Sequence, residues 1–179
     1  MQIISFTGKS NNYNKIYENV FHSGEPVNYA KINENISRSG QPMYSDFKWL
    51  KEQGVTDVIN FRTMGIPEID FDEQMHVNQL GMRYHNIPTK TRSPKGEDVV
   101  KFVKLVDDIV SKNGKVHIHC FAGADRTGMY SFIYKTLRNM GTMSENLQEW
   151  IRLGMHVDRF SGLIPWSVEF VKWAKKYKI

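Results

Sequence analysis

A chain of 179 residues, 40% hydrophobic and 24% charged, has the length and composition of one folded domain and not of a disordered polymer. No apolar run approaches the ~18 residues of a membrane span, and the opening MQIISFTGKSNN lacks the basic region of a secretory signal, so a cytoplasmic protein is expected. The net charge of +5 favours anionic ligands without selecting one, and a single cysteine, Cys120, permits neither an internal disulfide nor a Cys-rich zinc site.

Residues 1–36 are polar and Asn-rich and read as an N-terminal extension, with a short strand expected at Gln2–Phe6. SRSGQP (Ser37–Pro42) and HSGEP (His22–Pro26) both read as turns. Ser45 is expected to cap a helix bearing Phe47, Trp49 and Leu50, closed by Gly54. Val55–Phe61, rich in β-branched residues, reads as a strand. Pro67 is expected to open a helix that runs to about Leu80, and Met82–Ile87 to form the next strand. After the basic loop Pro88–Gly96, Ser93-Pro94 reads as a helix start. Val99, Phe102, Val103, Val106, Ile109 and Val110 then recur at the spacing of one buried helix face. Lys115–Cys120 reads as a third strand, followed by a helix from near Arg126 to Gly141. The box Thr142-x-x-Glu145 starts another helix, and Pro165 a last one carrying Val168, Val171 and Ala174 inward. Strands alternating with helices predict an α/β fold, a central, mainly parallel sheet flanked by helices, in one domain over residues 37–179.

The informative stretch is VHIHCFAGADRTG (Val116–Gly128), a strand, a loop of small residues and a helix start. In an open parallel α/β sheet, ligands bind beyond the carboxyl ends of the strands, and Cys120 stands at such an end. A loop entering a helix points several N–H groups at one centre, and the helix dipole adds positive potential there. Gly123 supplies backbone freedom, while Ala122 and Ala124 add little bulk. Such a pocket suits a phosphoryl group and favours a thiolate at Cys120. Arg126 is placed to fold back over it, where a planar guanidinium binds two phosphoryl oxygens and stays charged. Thr127 is placed to donate a hydrogen bond to the sulfur.

HCFAGADRTG resembles the His-Cys-x5-Arg-Ser/Thr signature of the protein tyrosine and dual-specificity phosphatase superfamily. RSGQP, INFRT and YHNIP are similar to stretches of its small bacterial-type dual-specificity members, and the resemblance extends over about residues 37–179. It implies a cysteine-phosphatase fold and a phosphomonoester hydrolase. Cys120 is then the nucleophile that forms phosphocysteine, and Arg126 clamps the phosphoryl group. Phe121, Ala122, Gly123, Ala124 and Thr127 line the phosphate-binding loop, and no cofactor or metal is needed. The implied partners are a phosphorylated protein, lipid or inositol substrate, with phosphate or a similar oxyanion in the loop; neither nucleic acid nor a membrane is an expected partner.

The family carries its general acid, an Asp, on a loop before the signature, and here that loop, Pro88–Gly96, has no carboxylate. Asp125 is the first candidate for the acid, in an order that resembles myotubularin-type and Sac-type lipid phosphatases; the competing reading is that it orients Arg126 or caps the helix. Glu97 and Asp98 follow. Lys90, Arg92 and Lys95 are candidates for holding a second phosphate or an acidic peptide, Arg62 for bracing the loop and His119 for tuning the thiolate. The alternatives are an inositol phosphate or phosphoinositide phosphatase of the same mechanism, a phosphate-binding module without turnover, and a persulfide-carrying sulfurtransferase.

Overall fold

The computed structural model describes residues 25–63 and 72–179. The elements are β1 (Ala30–Lys31), β2 (Ile36–Ser39), α1 (Tyr44–Glu52), β3 (Asp57–Asn60), α2 (Glu73–Gln79), β4 (Arg83–Asn86), α3 (Gly96–Ser111), β5 (Val116–His119), α4 (Asp125–Leu137), α5 (Met143–Arg152) and α6 (Leu163–Lys176). The sheet has the order β1-β2-β5-β3-β4. All its pairings are parallel except that of β1 with β2. This is the α/β architecture the alternation predicts, with β5 at the centre of the sheet. The strand expected at Gln2–Phe6 and the helix start at Pro67 lie outside the described residues. The sheet begins earlier than residue 37: Ile36 pairs with Val116, and β1 precedes it.

Side chains alternate across the strands and build one core on each face. Val58 joins Phe47, Leu50, Val77 and Met82 under α1 and α2. Ile59 and Ile118 join the second core with Val99, Phe102 and Val106 of α3, Met129 and Ile133 of α4, and Val171 and Ala174 of α6. Five of the six residues of the predicted α3 stripe are buried; Val110, at its end, is half-buried against the same core.

Local details move several expected boundaries. Met43, not Ser45, is the N-cap of α1, because the Asp46 carboxylate accepts a hydrogen bond from Met43 N at 2.9 Å. Ser93 N donates to Lys90 O at 3.1 Å and closes a turn, so α3 starts at Gly96. The helix expected to reach Gly141 ends at Leu137; Asn139 and Gly141 both adopt positive φ and cannot continue it. The Thr142–Glu145 box caps α5 as read. Pro165 is the third residue of α6, where a missing N–H removes no intrahelical bond. Of its three predicted inward residues, Val168 is only half-buried.

At Gly128 of α4 the helix packs directly against Trp150 of α5. A Cβ there would lie 2.0 Å from Trp150 Cδ1. That approach seats the indole so that Trp150 Nε1 donates to Ala124 O at 3.1 Å, at the base of the signature loop. Gly128→Ala gains about 1 kcal/mol of helix propensity. It is expected to lose more, about 1–3 kcal/mol from overpacking, together with the indole hydrogen bond. Thermal melts should show a lower Tm than wild type; an unchanged or higher Tm contradicts this packing.

Candidate active site

Cys120 follows the end of β5 and is followed by the turn 121–124, from which α4 departs at Asp125. Its side chain is 2% exposed and belongs to the core on the α3–α4 face. The loop has an ordered polarity. Four successive carbonyls are each held by a donor from elsewhere in the fold. Gln41 N donates to Phe121 O at 2.9 Å. Asn28 Nδ2 donates to Ala122 O at 3.3 Å and also to Leu153 O at 3.1 Å. Arg38 Nη2 donates to Gly123 O, and Trp150 Nε1 to Ala124 O. With the carbonyls committed to the scaffold, the amides of Ala122, Gly123 and Ala124 donate to no other group among the described residues. Free amides at the start of a helix suit an oxyanion.

Gly123 has φ +71°, and a Cβ there would meet Gly40 N at 2.4 Å and Ser39 C at 2.6 Å. Glycine is therefore required on both conformational and steric grounds. The SRSGQP segment is the platform on which the loop rests. Ser39 and Gly40 lie under Gly123, Arg38 and Gln41 grip carbonyls, and Gly40 N closes its own turn on Val27 O at 2.7 Å.

Arg126 is half-buried, and its Nη1 donates to Phe61 O at 3.2 Å. Thr89 N donates to the same oxygen at 3.1 Å, which ties the Arg126 side chain to the start of the basic loop. Arg62 is buried; it donates to Gln41 Oε1 at 2.6 Å and lies 5.8 Å from the centre of the Phe121 ring. It braces the loop through Gln41 and is not a surface ion pair.

Behind the strand end sits a buried polar network. Glu73 accepts from His119 Nε2 at 2.8 Å, from Gln41 Nε2 at 2.9 Å and from Asn60 Nδ2 at 3.2 Å. Burial pushes the Glu73 carboxyl up, but the His119 ring, the Gln41 amide and the Arg62 charge together hold it below the usual glutamate range. His119 is fully buried and committed to Glu73, so it supports the strand end from beneath. Burial also holds the neighbouring His117 well below the usual histidine value, and both its ring nitrogens lie within hydrogen-bond reach of serines, Ser37 and Ser39.

The remaining predicted residues separate into those at the loop and those elsewhere. Asp125 opens α4, and its carboxylate accepts from His156 N at 2.9 Å and from His156 Nδ1 at 2.9 Å. Thr127 Oγ1 is buried without a hydrogen-bond partner among the described residues, so the bond expected to Cys120 is not made. Glu97 pairs with the exposed Lys95 at 3.5 Å, and Asp98 lies in the first turn of α3. Arg38, Gln41, Glu73 and His156 carry contacts that sequence reasoning did not assign. Ser37–Ser39 of the segment read as a turn instead complete β2, so that reading located Gln41 but not Arg38; Glu73 and His156 had no local signal.

A family described as a DSP-PTPase phosphatase fused to NAD+ kinase matches residues 8–158. No curated protein matches the chain. Among solved structures, a protein described as a DUF442 phosphatase from Shewanella putrefaciens CN-32 is 25% identical with a TM-score of 0.70, over 82% of this chain and 90% of that one. TpbA of P. aeruginosa is 20% identical with a TM-score of 0.65, over 83% and 85%. The core catalytic domain of the PP-IP phosphatase SIW14 of S. cerevisiae is 19% identical with a TM-score of 0.63, over 74% and 78%. The last two likenesses speak to the fold. The family match spans most of the chain and includes the whole signature loop, so this chain belongs to the DSP-PTPase family and is a phosphatase of the protein tyrosine and dual-specificity type.

Proposed function

We propose that the chain hydrolyses phosphomonoesters through a phosphocysteine at Cys120. The observation that carries this is the set of four carbonyls held by the scaffold, which leaves the amides of Ala122, Gly123 and Ala124 to receive phosphoryl oxygens next to the sulfur. The Cys120 thiolate attacks phosphorus, the ester P–O bond breaks, and the leaving oxygen departs as an aryloxide that takes its proton from water. Water then cleaves the S–P bond, releasing phosphate and regenerating the thiolate. Loop amides and the Arg126 guanidinium face charge that builds on the phosphoryl oxygens, the situation in which fixed donors accelerate a reaction most. Phosphotyrosine and similar aryl esters are the favoured substrates, since a good leaving group asks least of a general acid. A TpbA variant, 19% identical, was solved with phosphotyrosine bound, which is in keeping with this choice.

Asp125 is better supported as a positioning residue than as the acid. Both its oxygens are engaged by His156, which fastens the segment between α5 and α6 to the start of α4.

One observation favours the inositol phosphate or phosphoinositide reading. A pocket of about 310 Å³ lies between the basic loop and the segment before α6, and Arg92 and Arg159 line it with Phe160 and Trp166. Each guanidinium lies 5.3 Å from the centre of the Phe160 ring. Neither has an ion-pair partner among the described residues. Thr91, on the same wall, is two residues from Thr89, a span of at most about 7 Å, and Thr89 shares the Phe61 carbonyl with Arg126. A substrate with two phosphoryl groups would fit this arrangement.

Three experiments follow. Cys120→Ser is expected to abolish turnover of p-nitrophenyl phosphate while retaining vanadate binding; normal turnover by this variant removes catalysis through sulfur. Asp125→Asn is expected to lower kcat by the same factor on aryl and alkyl phosphates. A loss roughly 10²-fold larger on the alkyl ester would instead make Asp125 the acid. The double variant Arg92→Ala/Arg159→Ala is expected to raise the KM of an inositol bisphosphate, relative to that of p-nitrophenyl phosphate, by at least about tenfold. An unchanged KM ratio removes the second-phosphate reading.

A further inference from the structure

Arg38 is the least expected side chain of the fold. It sits within β2 and is 1% exposed, among the largest fully buried side chains of the described residues. Its register partner on β5 is Ile118, two residues before Cys120. Ile36, two residues before Arg38, and Ile118 both belong to the core on the α3–α4 face, and strand alternation puts Arg38 on that same side. Its Nη2 donates to Gly123 O, while Nε has no hydrogen-bond partner among the described residues.

A guanidinium sealed from water is strongly unfavourable unless an anion compensates it. Among the described residues no carboxylate forms an ion pair with Arg38. The nearby acid, Glu149 of α5, is bound to Lys135 Nζ at 2.5 Å. Burial brings the Arg38 pKa down to about 10, against an upward pull from Cys120 and a smaller one from Glu149. The other charged or titratable groups at the loop and behind its strand are Arg126 and Asp125 at the start of α4, His156 on Asp125, Arg62 beside the Phe121 ring, and Glu73 with His119.

We propose that Arg38 is a positioning residue whose buried charge is the counter-ion of the Cys120 thiolate, anchored beneath the loop by the Gly123 carbonyl. The inference rests on the phosphocysteine reading and adds a division of labour to it. Arg38 holds the sulfur ionised from the core side. Arg126, half-buried and tied to Phe61 O, is left for the phosphoryl group.

The test is alkylation by iodoacetamide as a function of pH in the full chain. Cys120 is the sole cysteine, so the rate reports on it alone, whether or not any phosphoester is hydrolysed. Arg38→Gln keeps an N–H donor for Gly123 and removes the charge. It is expected to raise the midpoint of alkylation by about one pH unit. Its kcat/KM for p-nitrophenyl phosphate should fall about tenfold below that midpoint and recover above it. Arg38→Lys keeps the charge and is expected to hold the alkylation midpoint closer to wild type than Arg38→Gln does. Equal midpoints for wild type and the Gln variant, or equal displacement in the Gln and Lys variants, overturn the proposal. Should the Gln variant not fold, the wild-type protein decides. The Arg38 Nε–H resonance, assigned by its absence in Arg38→Lys, should titrate with the alkylation midpoint and lose that titration in Cys120→Ser. A titration that survives in Cys120→Ser overturns the proposal. Retained turnover by Cys120→Ser would defeat the phosphocysteine reading separately.

Discussion

The four carbonyls of Phe121, Ala122, Gly123 and Ala124 can point in only one direction if the loop is to receive an anion, and each is held there by a separate donor. Ala122, Gly123 and Ala124 have no side chains with which to stabilise the loop's conformation. Its shape comes from the backbone amide of Gln41, the Asn28 amide, the Arg38 guanidinium and the Trp150 indole. Those donors come from before β1, from β2 and the turn after it, and from α5. The fold is thus a device for bringing distant donors to one backbone segment, and the small residues of the loop allow it to be gripped so closely.

The same logic explains why so much polar material is buried near Cys120. Glu73, His119, Gln41, Asn60 and Arg62 form a connected set in which hydrogen bonds satisfy each member. Buried polar groups of this kind contribute little net stability, but satisfied networks fix a unique arrangement. Gln41 links the two halves: its backbone amide grips Phe121 O, while its side chain joins Glu73 and Arg62. A shift of α2 would therefore reach the loop through Glu73 and Gln41. On the opposite side, His156 and Asp125 fasten the α5–α6 segment to the helix that starts at the loop.

What could be read from the sequence and what could not follow from the range of the interactions. The spacing of Cys120, Gly123, Arg126 and Thr127 is local, and so is the amphipathic stripe of α3; both were legible. So was the Thr142 box, since both its partners lie within one turn. The start of α1 was misplaced because the Asp46 carboxylate, not the Ser45 hydroxyl, satisfies the first backbone donor. Ser93-Pro94 looked like a helix start but belongs to the turn closed on Lys90. Arg38 was invisible for a different reason. In a strand reading ISRS, a charged residue is ordinarily assigned to solvent, and only the register with β5 places it under the loop. Asp125 reads in the sequence as available for proton transfer, but His156, 31 residues later, engages both its oxygens.

Direct interception of the covalent intermediate tests the central claim most sharply. Wild-type protein turning over an aryl phosphate would be denatured within the lifetime of a cycle, and the phosphoryl group located by mass spectrometry of its peptides. The account predicts one phosphoryl group, on the peptide that carries Cys120 and attached at sulfur. Turnover accompanied by phosphate on another residue, or by no covalent phosphate at all, would contradict it.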